Sequence, residues 1–241
     1  MFVTKKSGKV RKMRIGSRDF ATTGHTYIMG ILNVTPDSFS DGGKFNQIDA
    51  ALKHAEEMIG DGADVIDIGG ESTRPGYTKI SDEEETDRVV PVIEAVKKEF
   101  EIPISVDTYK SGVAEAAAEA GADLINDIWG LKYDARMAEV IAKSGLACCL
   151  MHNRDNTEYR NFMEDMKQNL RETIALAKAA GIADDKIILD PGVGFAKSYE
   201  NNLEVIRRLK EFNELKYPVL LGTSRKSVIG STLDLPAAER V

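Results

Sequence analysis

Short apolar runs alternate with longer amphipathic segments along most of the chain, and this alternation limits the possible folds more than any other feature. Nearly continuous apolar runs cover residues 27–34, 65–68, 102–106, 124–128, 146–151, 187–189 and 218–221. Such runs are typical of strands that are buried on both faces of a parallel sheet. Helix-like segments lie between them at 48–60, 82–100, 111–120, 135–144, 158–180 and 199–212. The pattern predicts repeated βα units behind a basic N-terminal β-hairpin.

Two α/β architectures fit repeated βα units: a doubly wound open sheet and a (β/α)8 TIM barrel. A dinucleotide-binding open sheet needs a Gly-x-Gly-x-x-Gly turn after its first strand, and residues 35–38 do not match it. We therefore predict the barrel, formed as one domain by residues 1–241. Barrel closure requires eight strands, whereas seven precede the last residue, Val241. The expectation is that the final strand and helix are missing from this sequence.

Charge and composition exclude some classes of protein. The net charge of −7 argues against a general nucleic-acid binder, which needs excess Lys and Arg to neutralise phosphates. No apolar stretch approaches the length of a membrane span, and no signal peptide opens the chain. Cys148 and Cys149 are adjacent, so on a strand they point to opposite faces and cannot pair easily. We expect two reduced core residues and a cytoplasmic location.

Polar residues follow every predicted strand. In chain order they are Asn33 and Asp37, Asp67 and residues 71–74, Asp107 and Thr108, Asn126 and Asp127, residues 152–154, Asp190, and residues 223–227. The carboxyl ends of all strands of a parallel barrel lie on one face, where the following loops build the active site. The sequence therefore predicts that these side chains line a common pocket.

Each of these residues alone also has a simpler interpretation. Asp107 could cap the next helix, and Asn126 could satisfy a turn. Lys226 could be an ordinary solvated lysine, and His152 a polar residue with satisfied hydrogen bonds. The segment 190–198, DPGVGFAKS, lacks the two glycines that a Walker phosphate loop requires. The three histidines are not spaced for zinc.

The chemistry of the set indicates the kind of ligand. Carboxylates accept paired hydrogen bonds from a guanidine-like edge, and an amide both donates and accepts, so these groups suit a flat heterocycle that carries N–H donors. Arg74, Arg225 and Lys226 can hold an anion. The Asn33 amide and nearby hydroxyls are oxygen ligands that suit Mg²⁺ bound to phosphate oxygens. Together these groups indicate a pterin-like or purine-like ring beside a phosphate.

Long motifs in a fixed order carry a resemblance to one family. They are GILNVTPDSFSDGG at 30–43, DIGGESTRPG at 67–76, ISVDTYK at 104–110, INDIWG at 125–130, ILDPGVGFAKS at 188–198 and LLGTSRKSVIG at 220–230. The chain resembles dihydropteroate synthase from its first strand to its end. The resemblance implies a (β/α)8 barrel that condenses para-aminobenzoate with 6-hydroxymethyl-7,8-dihydropterin pyrophosphate. The products would be dihydropteroate and pyrophosphate, with Mg²⁺ as the cofactor.

The resemblance also implies roles for residues at matching positions. The pterin pocket would comprise Asp107, Asn126, Asp190 and Lys226, and Asn33 would be the Mg²⁺ ligand. Thr73, Arg74 and Pro75 would lie in a mobile loop near para-aminobenzoate and pyrophosphate, and Phe195, Lys226 and Ser227 would form the para-aminobenzoate wall. Lys226, Asp107 and Arg74 are the residues expected to act in catalysis.

Two other functions remain open at this point. A methyltetrahydrofolate-dependent corrinoid methyltransferase domain would bind a folate in a similar pocket without a pyrophosphate loop. An inactive pterin- or sulfonamide-binding module is the other alternative, because the family's C-terminal Arg-x-His pair for pyrophosphate is not in this sequence. The motifs at 35–43 and 224–227 favour the synthase. The family resemblance also implies a homodimer.

Overall fold

The structure is a computed structural model that describes residues 12–35, 44–72, 78–236 and 239–240, without the side chains of 44–46. The strands are β1 Lys12–Ile15, β2 Arg18–Ala21, β3 Met29–Asn33, β4 Val65–Gly69, β5 Ile104–Asp107, β6 Leu124–Asp127, β7 Ala147–Met151 and β8 Ile187–Asp190. The α-helices are α1 Lys44–Gly60, α2 Asp82–Glu99, α3 Ser111–Glu119, α4 Met137–Ser144, α5 Phe162–Ala179, α6 Tyr199–Arg207 and α7 Ser227–Leu233. Within the described ranges, two 3₁₀ helices span Asp184–Lys186 and Leu209–Leu215.

The central sheet is wholly parallel and follows the chain order β3-β4-β5-β6-β7-β8, with a helix after each of the first five strands and α6 after β8. Each strand therefore pairs with the next by a helical crossover, which is the wiring of a β/α barrel. In register, Asp67 of β4 lies opposite Ser105 of β5, and Asp107 lies opposite Asn126 of β6. The predicted α/β barrel with an N-terminal hairpin is confirmed.

The two faces of the strands are both buried but pack against different partners. Outward-facing residues such as Ile66, Ile104 and Leu150 pack against the helices in two clusters. Inward-facing residues such as Val65, Leu124 and Cys149 form a separate cluster in the barrel interior. This double burial explains the near-continuous apolar runs in the sequence.

The adjacent cysteines show the same alternation. Cys148 belongs to the outer cluster and Cys149 to the inner one, and both are free thiols with no exposed surface. Burial raises the pKa of both thiols well above the usual range. The prediction of two separate, unpaired core cysteines is confirmed.

The antiparallel hairpin β1–β2 closes the N-terminal end of the barrel. Met13, Ile15 and Phe20 are buried against the inward-facing strand residues. The hairpin turns at Gly16, whose φ is +56° and whose missing Cβ would lie 2.4 Å from an Asp123 carboxylate oxygen. Only glycine suits this turn, because it combines a left-handed conformation with a close approach.

Residues 218–221, predicted as the seventh strand, do not form a regular strand in the structure. Val219 forms a single parallel bridge to Leu189, flanked by the bonds Leu189 N–H to Pro218 O and Leu220 N–H to Leu189 O, both 2.9 Å. Pro218 has no N–H to extend the ladder. In the part of the chain that the structure describes, this segment therefore borders β8 without becoming a regular strand.

Several predicted helices have different bounds in the structure; α1, predicted from residue 48, begins at Lys44. The segment 158–180 becomes helical only at Phe162, because the Asn161 side chain accepts the Glu164 N–H as an N-cap. The segment 199–212 is α6 followed by a 3₁₀ helix, in which Phe212 and Leu215 are buried three residues apart. That spacing matches three residues per turn. Among the described residues, no helix combines the length and the apolarity needed to cross a bilayer.

Candidate active site

The carboxyl ends of three strands of the barrel, β5, β6 and β8, carry the predicted polar pocket. Asp107 ends β5, Asp190 ends β8, and Asn126 lies one residue before the end of β6. All three face the barrel interior, because they continue the inward alternation of Leu124 and Ile188. The structure thus brings together side chains from three different strands. The two most distant in the sequence, Asp107 and Asp190, are 83 residues apart.

Asp107 has a carboxylate oxygen, Oδ1, that is buried and has no hydrogen-bond partner among the described residues. Burial raises the pKa of Asp107 well above its ordinary value, and the charges of Asp67, Glu85 and Asp127 raise it further. Asp107 does not cap the following helix, because the Ser111 N–H at the start of α3 donates to Asp134 instead, at 2.9 Å. The simpler interpretation of Asp107 as a helix cap is therefore wrong.

The Asn126 side chain is held by the Asp67 carboxylate, which lies deeper in the barrel. Its Nδ2 donates to Asp67 Oδ2 at 3.1 Å, and Ser105 Oγ donates to Asp67 Oδ1 at 2.5 Å. Burial raises the pKa of Asp67, while these two hydrogen bonds lower it. Because the amide nitrogen is engaged below, the Asn126 carbonyl oxygen remains to face a ligand as an acceptor.

Asp190 opens a tight segment, residues 190–198, which we call the Asp190 loop. Its Oδ1 accepts the Gly192 N–H at 2.6 Å, and its main-chain oxygen accepts the His152 N–H at 2.8 Å. Burial raises the pKa of Asp190, and the positive charges of Lys226 and Lys197 oppose that rise. Asp190 does not cap α6 either, since Ser198 accepts the Asn201 N–H at 3.1 Å.

Lys226 and Phe195 lie together at the mouth of this pocket. The Lys226 Nζ is 4.3 Å from the centroid of the Phe195 ring, within the range of a cation–π contact. Burial lowers the pKa of Lys226, while Asp190 and Asp107 raise it. Lys226 is therefore a half-buried cation between the two carboxylates, and the interpretation of it as an ordinary solvated lysine is wrong.

An apolar wall completes the pocket. Tyr109, Ile128 and Met151 form a small buried cluster, and Trp129 and Phe195 pack against it while partly exposed. Tyr109 follows β5, Ile128 and Trp129 follow β6, and Met151 ends β7. Phe195 belongs to the Asp190 loop. A flat ligand held by the polar groups would therefore meet aromatic and aliphatic surface on one side.

The remaining predicted residues are less completely described. Asn33 ends β3 with its side chain exposed, and Ser227 is the exposed first residue of α7. Thr73, Arg74 and Pro75 lie outside the described residues. Asn33 nevertheless borders the pocket, because a Cβ added to Gly69 would lie 3.5 Å from Asn33 Oδ1 and 3.8 Å from Asp107 Oδ2.

Two residues support the site in ways that were not predicted from the sequence. Asp67 was assigned to the rim, but it lies in the middle of β4, one layer deeper, where it holds Asn126. Lys197 was given no role when the phosphate-loop motif was rejected, yet its Nζ donates to main-chain oxygens of its own loop, at Gly192 and Phe195. The available signal for Asp67 was a single acid inside an otherwise apolar run, since a buried charge needs partners.

Known proteins similar to this chain match it over most of its length. The family model described as pterin binding enzyme matches residues 29–241. Dihydropteroate synthase of Clostridium beijerinckii is 64% identical over 229 residues, which cover 95% of this chain and 85% of that protein.

Solved structures give the same result. A crystal structure of dihydropteroate synthase from Clostridium difficile in the presence of pteroic acid is 53% identical, with a TM-score of 0.87, over 94% of this chain and 84% of that one. The Xanthomonas albilineans dihydropteroate synthase with 4-aminobenzoic acid is 39% identical, with a TM-score of 0.91, over 97% and 85% of the two chains. The chain therefore belongs to the pterin-binding enzyme family and, within it, to the dihydropteroate synthases.

Proposed function

We propose that the pocket at the carboxyl end of the barrel binds the pterin pyrophosphate and para-aminobenzoate and joins them to give dihydropteroate. The observation that carries this assignment is the Asp107 carboxylate, whose buried Oδ1 has no hydrogen-bond partner in the described part of the chain. Buried polar atoms are rarely left unsatisfied in a folded protein. The N–H donors of a pterin ring would satisfy this oxygen.

The pterin ring fits the polar groups by its pattern of donors. Its guanidine-like edge carries several N–H groups, which suit the carboxylates of Asp107 and Asp190. The carbonyl oxygen of Asn126 would accept a further ring N–H, because the Asn126 nitrogen already donates to Asp67. Lys226 can donate to a ring oxygen or nitrogen from the mouth of the pocket.

Para-aminobenzoate would lie against Phe195 and Lys226. The ring of Phe195 offers an aromatic face, and the Lys226 ammonium, 4.3 Å from that ring's centroid, offers a charge for the benzoate carboxylate. Ser227 is exposed next to Lys226 and can donate a hydrogen bond to the same carboxylate. The proposed site thus places the arylamine beside the pterin, with each substrate held by different atoms.

The reaction requires positioning more than a reactive side chain. The arylamine nitrogen forms a bond to the pterin methylene carbon, while the carbon–oxygen bond to pyrophosphate breaks and its electron pair leaves with the pyrophosphate. The nitrogen then loses a proton. Holding both substrates in line supplies much of the acceleration, because a bimolecular step becomes effectively unimolecular.

Mg²⁺ fits the one ligand that the structure describes for it. The Asn33 amide oxygen and an oxygen of Asp107 lie 3.5 Å and 3.8 Å from the position that a Cβ on Gly69 would take, so both border the same space. Mg²⁺ in phosphate-transfer sites is held by few protein oxygens, together with substrate phosphates and water. We propose that Asn33 is the protein ligand, and that the bound ion would neutralise charge on the leaving pyrophosphate.

Product formation tests this function directly. The protein is incubated with para-aminobenzoate, the pterin pyrophosphate and Mg²⁺, and dihydropteroate is measured by chromatography. We expect dihydropteroate only in the complete mixture, and none with a corrinoid and methyltetrahydrofolate in place of the substrates. A protein that binds a pterin but forms no dihydropteroate would instead support the inactive binding module.

We further propose that the protein is a cytoplasmic homodimer. The two buried free thiols, Cys148 and Cys149, support a reducing compartment. Light scattering coupled to gel filtration measures the mass in solution, and twice the chain mass of 26.5 kDa is the expected value. A mass equal to that of one chain would contradict the dimer.

A further inference from the structure

The Asp190 loop has an unusual backbone that its surroundings must hold in place. Gly192, Gly194 and Ala196 have φ angles of +68°, +86° and +47°. A left-handed conformation is unfavourable for alanine and persists only where other contacts fix it. Two of the residues assigned to substrates, Asp190 and Phe195, belong to this loop. Whatever fixes the loop therefore also places part of the substrate pocket.

Side chains bind several of the loop's main-chain polar groups. Asn202 Oδ1 accepts the Gly194 N–H at 2.6 Å, and the Tyr159 hydroxyl donates to Ala196 O at 2.8 Å. Lys197 acts from within the loop itself. Its Nζ donates to Gly192 O at 2.8 Å and to Phe195 O at 2.9 Å. Lys197 thereby holds both ends of the turn 192–195.

Lys197 is placed where a lysine is costly. It forms no ion pair with a carboxylate in the described ranges, and its Nζ lies 3.2 Å from His152 Nδ1. The pKa of Lys197 is lowered to about 7, chiefly by burial; Asp190 opposes this shift, and Lys226 and Arg154 add to it. A methionine would fill a similar volume without this cost. The donors of Lys197, rather than its bulk, distinguish it from such a replacement.

Of the two pocket residues in the loop, Phe195 depends more on Lys197. Asp190 is held independently, because it ends a paired strand and accepts main-chain N–H groups from His152 and Gly192. Phe195 follows the strand by five residues. Its main chain is held by its own N–H to Gly192 O, at 3.1 Å, and by the Lys197 Nζ on Phe195 O. Both bonds therefore belong to the turn 192–195, which Lys197 closes.

We propose that Lys197 is a positioning residue for the synthase reaction: it closes the turn 192–195 and so sets the Phe195 ring against the arylamine substrate. This inference rests on the proposed function of the pocket. Lys197 touches neither substrate in this account and acts through the backbone of Phe195. Its loss should therefore weaken the arylamine side of the site more than the pterin side.

Kinetics of Lys197→Met test this difference. We expect the KM for para-aminobenzoate to rise about tenfold or more, as loss of charge-assisted hydrogen bonds predicts. The KM for the pterin pyrophosphate should stay within about threefold of wild type, since Asp190 keeps its own bonds. Thermal melting of the same variant reports how much stability is lost.

Lys167→Met is the matched control. Lys167 is a lysine on α5 that is also largely covered, with a side chain that is 4% exposed and an Nζ 2.7 Å from Glu164 and 3.2 Å from Glu214. It lies outside the pocket and the Asp190 loop. This variant should melt at a lower temperature and keep both KM values, which separates positioning from a general loss of stability.

The outcomes are distinct. Two unchanged KM values in a folded Lys197→Met protein, or equal rises of both, would overturn the inference. If this variant does not fold, Lys197→Gln keeps a donor on a shorter chain, and the same split between the KM values is expected of it; unchanged values again overturn the inference. A wild-type protein that forms no dihydropteroate would refute the proposed function instead.

Discussion

At the scale of single residues, Asp107 is the side chain whose surroundings least suit its charge. It is partly buried near other acids, Asp67 and Asp127 among them, and its buried Oδ1 has no partner in the described part of the chain. Lys226 offsets this only in part. Such an arrangement destabilises the folded protein at neutral pH and leaves an acceptor ready for a ligand that donates hydrogen bonds.

Asp107→Asn should therefore stabilise the protein without ligand. The folded-state pKa of Asp107 is raised, so the wild type carries a charge penalty above that pKa and loses it as the pH falls towards 3.8. Asparagine is neutral at every pH. We expect a gain in the free energy of unfolding of roughly 1–3 kcal/mol at pH 8, the usual cost of an unsatisfied buried group, shrinking to nothing near pH 4. Urea titrations at several pH values measure it.

Asp134→Asn provides a control of opposite sign. Hydrogen bonds from Ser111 and Arg136 outweigh burial and lower the pKa of Asp134. A lowered pKa means that the carboxylate contributes stability above pH 3.8 and loses it as the pH falls through the folded-state pKa. Asp134→Asn should lose stability at neutral pH. A loss of stability at pH 8 in Asp107→Asn as well would show that Asp107 has an internal partner.

The sequence predicted the pocket residues better than the residues that hold them. Asp107, Asn126 and Asp190 follow from the strand ends, because a parallel barrel places all such ends on one face. The strand ends also placed Asp67 on this face, but not its contact with Asn126, and they did not place Lys197 at all. Their roles depend on which neighbouring strand or loop lies within hydrogen-bond distance, and that is a tertiary property which spacing along one chain does not contain.

At the scale of secondary-structure elements, a buried ion cluster ties together three elements next to the pocket. The Lys110 Nζ, before α3, lies 2.9 Å from Glu71, after β4, and 2.6 Å from Glu85 of α2. These side chains are 7%, 3% and 1% exposed. Lys110 also donates to Ile80 O at 2.8 Å, and Glu71 accepts the Ile80 N–H at 2.8 Å. The cluster thus fixes residues 71 and 80 against each other.

Lys110→Met should be strongly destabilising, because it leaves two buried carboxylates without their cation. We expect a loss of about 3–5 kcal/mol in the free energy of unfolding, measured with urea. Lys143→Met is the control: Lys143 pairs with Glu139 at 2.6 Å, but both side chains are more than half exposed, at 75% and 61%. Exposed pairs contribute little. Similar losses in the two variants would refute the structural importance of the cluster.

The elements themselves were predictable to different degrees. Helix α2 starts where Ser81 caps it and Asp82 to Glu85 fill its first turn, and α4 stops at Gly145, whose φ is +68°. Such local signals are visible in the sequence. The change from α6 to a 3₁₀ helix and the single bridge at Val219 were not predicted, because both depend on packing against neighbours.

At the scale of the whole molecule, the barrel has two chemically different ends. The N-terminal end is filled by apolar side chains of the hairpin, including Met13, Ile15 and Phe20. The carboxyl end carries Asp107, Asn126 and Asp190 above that filling. Among the described residues, the interior becomes polar towards the carboxyl end, which is the end that suits a small polar ligand.

The affinity of Asp107→Asn for a pterin ligand, measured by calorimetry, tests this account most directly. Asparagine keeps the shape of the side chain. It replaces one carboxylate oxygen, which accepts hydrogen bonds from the ring N–H groups, with an NH2 group, which can only donate. We predict binding weaker by at least about tenfold, or ~1.4 kcal/mol. Asp123→Asn, at the hairpin end beside Gly16, should bind the pterin as the wild type does. Unchanged affinity in Asp107→Asn would contradict the assignment of the pocket.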